Sequence, residues 1–273
     1  MPELPEVETI MRQLQPLLPG KVIGRVDVLD PRITAPVTPT AFSRSLKGKQ
    51  IEAVTRRGKY LRLELAGGEV LVIHLRMTGV LSFEAAGKHA ARPHLRLVIE
   101  FAGGGALLFQ DQRRFGTATL LDPVRAQTYF SRLGPEPLER SFNAARLREL
   151  LTGRRRPVKS LLLDQHVVAG IGNIYADEAL YRAGIRPTRE AGDISAGEAA
   201  RLSAAIKSTL RDAIALQGSS IDTYRDSRGR RGRFQETFRV HRRAGEPCPG
   251  CAGEIVKIKL GGRGTYYCPR CQK

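Results

Sequence analysis

The residue types with the sharpest chemistry stand at the two ends of the chain. Near the start, MPELPEVETI places Pro2 directly after Met1. Removing Met1 would leave a terminal secondary amine. An α-amino group titrates near pH ~8, against about 10.4 for a lysine, so a useful fraction is unprotonated at neutral pH without burial. Attack of such an amine on an aldose carbon gives a permanently charged iminium, an electron sink that promotes elimination. Glu3 stands beside it as a candidate acid/base partner. Pro and Glu are also ordinary helix-start residues, so the pair alone leaves both readings open.

Near the other end, CPGC (Cys248 and Cys251) and CPRC (Cys268 and Cys271) form a C-x2-C-x16-C-x2-C pattern. Two residues between thiolates let one turn present both sulfurs to one ion, and four thiolates close a tetrahedral Zn2+ site with no position left for water. The zinc is expected to be single and structural, its binding supplying folding energy to a segment too small for a core. Two disulfides are the alternative pairing. Lys257, Lys259 and Arg263 lie between the cysteine pairs and read as phosphate contacts on a metal-stapled hairpin.

The charge balance points the same way. The 273 residues carry 45 Lys+Arg against 27 Asp+Glu, a net charge of +18, and a field of that sign attracts polyanions. From Arg225 to Lys273 there are 13 Lys+Arg and 4 Asp+Glu, so this tail contributes +9, half the excess. No stretch approaches the roughly 20 apolar residues that span a bilayer. The start lacks the basic-then-apolar pattern of a signal peptide, so a soluble, cytoplasmic protein is expected.

The elements that must carry these groups follow from periodicity. Val7, Ile10, Met11, Leu14 and Leu18 recur at helical spacing over residues 3–18. Residues 21–122 alternate apolar and polar positions, rich in β-branched types and punctuated by Gly, Pro and Asp, which reads as an antiparallel β-sandwich. LGPEPLER (133–140) is turn-rich and reads as a linker. Helical patterns follow at 143–152, 157–164, 173–183 and 195–217, the last opened by a Ser195/Glu198 capping box. Residues 218–239 are polar, Gly-rich and basic, a loop that could order on a ligand. The fold class is therefore two-domain α+β: an N-terminal helix and β-sandwich (1–132), a linker (133–140), a helical domain (141–239) and a finger (240–273).

Six motifs in order resemble those of bacterial formamidopyrimidine-DNA glycosylases: MPELPEVET, RRGKYL (56–61), HLRMTG (74–79), DQRRFG (111–116), VAGIGNIYADEAL (168–180) and the terminal cysteine quartet. The resemblance implies a C-terminal domain with a helix-two-turn-helix element and a β-hairpin zinc finger. It also implies excision of 8-oxoguanine and formamidopyrimidines from double-stranded DNA, then β,δ-elimination at the abasic site, by a monomer. Carried onto this chain, it makes Pro2 the nucleophile, Glu3 its acid/base partner and Lys59 a catalytic or phosphate-binding lysine. Met77, Arg113 and Phe115 become a wedge filling the gap left by a flipped base, with Arg113 facing the orphaned cytosine. Asn173, capping a helix after GIGN, together with Lys159, Arg263 and His94, becomes a DNA contact. Ser219, Ser220, Thr223 and Tyr224 fall in the loop that closes over the lesion. His94 follows ARP where a KHDH-like run is usual, and Arg76 stands where Gly is common. The competing expectations are an endonuclease VIII-like enzyme acting on oxidised pyrimidines, and a non-catalytic zinc protein that binds nucleic acid.

Overall fold

Pro16 cannot donate the amide hydrogen bond that would continue the first helix, and α1 accordingly spans Leu4–Leu14, shorter than the 3–18 pattern suggested. The computed structural model describes residues 2–85 and 92–273; Met1, whose removal the Pro2 chemistry requires, lies outside them. At the start of α1, Glu3 is the N-cap and forms a reciprocal capping box with Glu6. Its apolar stripe, Val7, Ile10 and Leu14, is buried.

The chain divides into two compact units, residues 1–131 with 216–233, and residues 132–215 with 234–273. The first contains two antiparallel four-stranded sheets. One has the order β1(Ile23–Val28), β6(Leu95–Phe101), β7(Ala106–Asp111), β5(Gly79–Glu84); the other runs β2(Ile51–Arg57), β3(Tyr60–Leu65), β4(Val70–His74), β8(Thr117–Leu121). Inward residues of both sheets, among them Ile23, Leu97, Leu107 and Phe109 from one and Leu61, Leu63, Leu71 and Ile73 from the other, meet in one core with the stripe of α1. This is the expected sandwich. It also contains α2(Pro39–Leu46) and α3(Pro123–Ser131), two short helices that alternation did not suggest. α3 covers the outer face of the second sheet, with Phe130 edge-on to Tyr60 and beneath the Arg62 guanidinium.

In the second unit the helices are α4(Ala144–Leu151), α5(Val158–Leu162), α6(Asn173–Ala183) and α7(Ala196–Ala215). Each falls where the periodicity put it, and the Ser195/Glu198 box opens α7, with the two backbone-to-side-chain bonds at 2.9 and 3.3 Å. Gln165 staples the double turn between α5 and α6. Its amide donates to the Leu163 and Ile171 carbonyls and its oxygen accepts from the Gly170 N–H. The terminal hairpin, β9(Val256–Leu260) and β10(Arg263–Tyr267), turns on Gly261 and Gly262, both at positive φ as a two-residue hairpin turn demands. Among the described residues, no helix is long and apolar enough to cross a membrane.

Candidate active site and nucleic-acid interface

Within the first unit, the catalytic candidates lie at the start of α1 and on a hairpin tied to that helix. Pro2 and Glu3 are buried where the helix begins. Lys59, also buried, sits in the β2–β3 hairpin, where the pairing of Arg57 with Tyr60 leaves only Gly58 and Lys59 in the turn. An ion pair ties this hairpin to the helix: Arg56 Nε lies 2.7 Å from Glu8 Oε2, while Arg56 Nη1 donates to the Gly58 carbonyl. Burial works against the Glu8 charge, but the Arg56 and Arg12 guanidiniums outweigh it and hold its carboxyl below the usual range.

Glu6, which sequence reasoning passed over, joins two parts of this site. One carboxylate oxygen accepts from the Glu3 N–H at 2.7 Å and the other from the Ser219 N–H at 2.7 Å. The Tyr224 hydroxyl donates to the Glu6 carbonyl at 3.4 Å. Two turns further along α1, Gln13 donates to Asp226 and accepts from both the backbone and the hydroxyl of Ser227. Residues 216–233 thus pack on α1 in the first unit, although they follow the helices in sequence. Ser220 closes the loop on itself, donating to the Tyr224 carbonyl and accepting from the Gly232 N–H. Ser219 Oγ is buried with no hydrogen-bond partner among the described residues, and Thr223 is partly buried.

The three residues expected to enter the duplex ride on two turns of the same unit. Met77 is 37% exposed and Phe115 50%, unusual for large apolar side chains. The Arg113 guanidinium lies over the Phe115 ring, 4.8 Å from its centroid. His74, edge-on to Tyr60, accepts the Arg76 N–H at Nδ1 and so fixes one end of the Met77 turn. Burial, then the nearby Arg76 and Lys59 charges, pushes the His74 pKa down to about 3 and keeps the ring neutral. His94 is exposed at positive φ, with its carbonyl accepting the Asp111 N–H.

In the second unit two expectations need revision. Lys159 is 1% exposed, too deep to present its ammonium to DNA. It ion-pairs with Asp177 at 2.7 Å and donates to Thr265 Oγ1 at 2.7 Å, while His241 Nδ1 meets the other Asp177 oxygen at 2.8 Å. Asn173 does not cap α6 with its side chain; Gly172 is the N-cap, and Asn173 Nδ2 donates 2.9 Å to the Gly264 carbonyl. Both side chains therefore secure the hairpin that exposes Arg263. Glu178, fully buried, holds the segment leading to the cysteines by accepting the N–H groups of Arg239, Val240 and His241.

The four cysteines are free thiols whose sulfurs lie within 4.8 Å of one another. Cys248 and Cys271 are 3.7 Å apart and Cys251 and Cys268 3.5 Å. Tetrahedral zinc with bonds of about 2.3 Å sets its sulfurs roughly 3.8 Å apart, so the quartet fits one zinc ion. Its chemistry there is structural, since four thiolates leave no open position.

A carboxylate-capped helix start on a β-sandwich, a basic chain and a four-thiolate hairpin point to a zinc-finger protein that acts on nucleic acid. The comparisons with known proteins narrow the class. Residues 1–118 match the model of the formamidopyrimidine-DNA glycosylase N-terminal domain, 133–225 its H2TH domain, and 245–273 the zinc finger found in FPG and IleRS. A formamidopyrimidine-DNA glycosylase from Chloroflexus aggregans is 47% identical over 274 residues, covering 100% of this chain and 98% of that protein. Among solved structures, a Lactococcus lactis FPG mutant in complex with Fapy-dG-containing DNA superimposes with a TM-score of 0.93 at 38% identity, covering 100% of both chains. The Lactococcus lactis Fpg bound to abasic-site DNA gives 0.91 at 38% identity, over 99% of each. The chain belongs to the formamidopyrimidine-DNA glycosylase family, and is a DNA glycosylase of base excision repair.

Proposed function

We propose that the chain, trimmed of Met1, excises oxidised purines, 8-oxoguanine and formamidopyrimidines, from double-stranded DNA in the bacterial cytoplasm, acting as a monomer. The Pro2 nitrogen attacks C1′ of the everted nucleotide, and the bond to the base breaks with its electron pair leaving on the base. Glu3 donates a proton as the sugar ring opens, and the resulting iminium acidifies C2′, so that elimination expels first the 3′ and then the 5′ phosphate. Lys59, on the hairpin tied to α1, supplies a cation to the phosphate. Ser219, Ser220, Thr223 and Tyr224 enclose the base, and Arg113, Met77 and Phe115 fill its place in the stack. His94 and Arg263 grip the backbone, and Asn173 joins them where its amide is not engaged by Gly264.

One observation supports this reading above the others. The Glu6 carboxylate holds the backbone of Glu3 and of Ser219 at once, so nucleophile, acid/base group and lesion loop share one rigid support. Borohydride trapping on abasic-site DNA tests the nucleophile. The trimmed protein should become covalently joined to DNA through Pro2 and the Met-retaining form should not; full trapping by the Met-retaining form would make another amine the nucleophile. Excision from duplexes carrying 8-oxoguanine opposite cytosine, compared with thymine glycol opposite adenine, tests the substrate, and a clear preference for thymine glycol would overturn the purine assignment.

A further inference from the structure

Asp111 ends β7 and is 1% exposed, yet among the described residues no cationic side chain pairs with it. Its charge is held instead by donors from two separate turns. Oδ1 accepts the Thr78 hydroxyl and, at 3.2 Å, the Arg113 N–H, and Oδ2 accepts the Gly116 N–H at 2.7 Å. The Arg113 N–H also reaches Thr78 Oγ1 at 3.0 Å, closing a ring of contacts between the turns. One turn, between β4 and β5, lifts Met77; the other, between β7 and β8, lifts Arg113 and Phe115. Each contains a non-glycine residue at positive φ, Arg76 at 52° and Arg114 at 59°, a conformation that needs support from its surroundings.

The packing beneath the turns leaves no slack. A Cβ on Gly79 would sit 2.4 Å from the Leu75 carbonyl and 2.8 Å from the Phe109 ring; one on Gly116 would sit 2.5 Å from the same ring and 3.1 Å from Asp111 Oδ2. Both turns are thus pressed onto Phe109 and drawn to one carboxylate. A carboxylate suits this place because it accepts in several directions and donates in none. An amide of the same shape would turn its NH2 toward either the Gly116 N–H or the Arg113 N–H, and in either case would lose a bond to the turn between β7 and β8.

We propose that Asp111 is the positioning residue that makes Met77, Arg113 and Phe115 a single wedge, and that eversion of the damaged base depends on it. This rests on the reading that those three side chains enter the duplex. The distinguishing substrates are a lesion in duplex DNA, which must be everted from the stack, and a preformed abasic site in single-stranded DNA, which has neither a base to evert nor an opposite strand. Single-turnover excision of 8-oxoguanine from duplex by Asp111→Asn should fall at least about 10-fold, the scale of one buried hydrogen bond left unmade. Strand cutting at the single-stranded abasic site should stay within about 2-fold of wild type on the same physical grounds. Fluorescence of a 2-aminopurine next to the lesion should show slower unstacking.

Thr78→Val replaces the hydroxyl by a methyl group, severs both of its bonds to the other turn and should shift the same readouts in the same direction, which keeps the test open if Asp111→Asn proves unstable in a melting experiment. Unchanged duplex excision in folded Asp111→Asn would overturn the proposal. So would a parallel loss on both substrates, which would place the effect at the reacting centre and not in the wedge. Wild-type protein inactive on both substrates would overturn the glycosylase reading as well.

Discussion

Replacing Lys159 by methionine separates two roles that the sequence leaves confounded. A phosphate contact would be exposed and would act through counterion release, so its loss would lower the slope of log affinity against log salt by about 1 and leave stability alone. The structure puts the ammonium against Asp177, with side chains 1% and 0% exposed. Methionine fills a similar volume but leaves a buried carboxylate with one partner fewer. Breaking a buried pair in this way costs about 3–5 kcal/mol. Here His241 remains within 2.8 Å of Asp177, so the lower end applies, ~3 kcal/mol, or roughly a 10 °C fall in melting temperature for a unit of this size. The assay pairs calorimetric melting with duplex affinity measured across a salt series well below the transition. The expected result is a large drop in melting temperature with an unchanged salt slope. Adding Asp177→Asn should recover part of the loss by removing the orphaned charge. An unchanged melting temperature with a slope lower by about 1 would refute the buried-pair account and restore Lys159 as a DNA contact.

Other perturbations follow from the same geometry. Arg263 is exposed on the hairpin, so Arg263→Ala should do the reverse of Lys159→Met, reducing the salt slope by about 1 with little change in melting. A His74 ring neutral in the fold, with its pKa near 3 against an ordinary 6.5, means that the unfolded chain binds more protons between those values. Its contribution is complete above about pH 6.5 and is lost as pH falls toward 3, amounting to about 2 kcal/mol by pH ~5. Denaturant melts of wild type and His74→Asn should therefore converge as the pH falls from 7 to 5, and a constant gap would show that His74 does not carry that term. Zinc chelation should unfold the hairpin and weaken duplex binding, while cutting of DNA already bound changes less; metal-free protein with unaltered affinity would contradict that division.

Much of the scaffold was legible because burial imposes a period. The α1 stripe, the alternation of β3 and β6, the four later helices and the Ser195/Glu198 box all express contacts within a few residues or one apolar face. The cysteine pairs were legible because the ligand geometry of one ion constrains spacing. The short helices α2 and α3 were not, since nothing in their length outweighs the strands around them. The polar contacts were hidden for a different reason. Gln13 meets Asp226 across 213 positions, and Glu6 meets Ser219 across the same interval. No periodicity reports such pairs, because each partner alone looks like a solvated polar residue.

The consequence is a systematic bias in how a charged residue within a motif is read. The resemblance made Lys159 and Asn173 DNA contacts, yet one is buried against Asp177 and both hold the backbone near Gly264. Asp111 stood in DQRRFG beside the arginine and phenylalanine that drew attention, and its carboxylate is the group to which both turns are bonded. A buried charge costs so much when unpaired that it survives only where several donors converge. Such convergence fixes backbone positions more tightly than an exposed contact can. In this chain the side chains that reach outward, Met77, Arg113, Phe115 and Arg263, therefore depend for their placement on charges that never face the solvent.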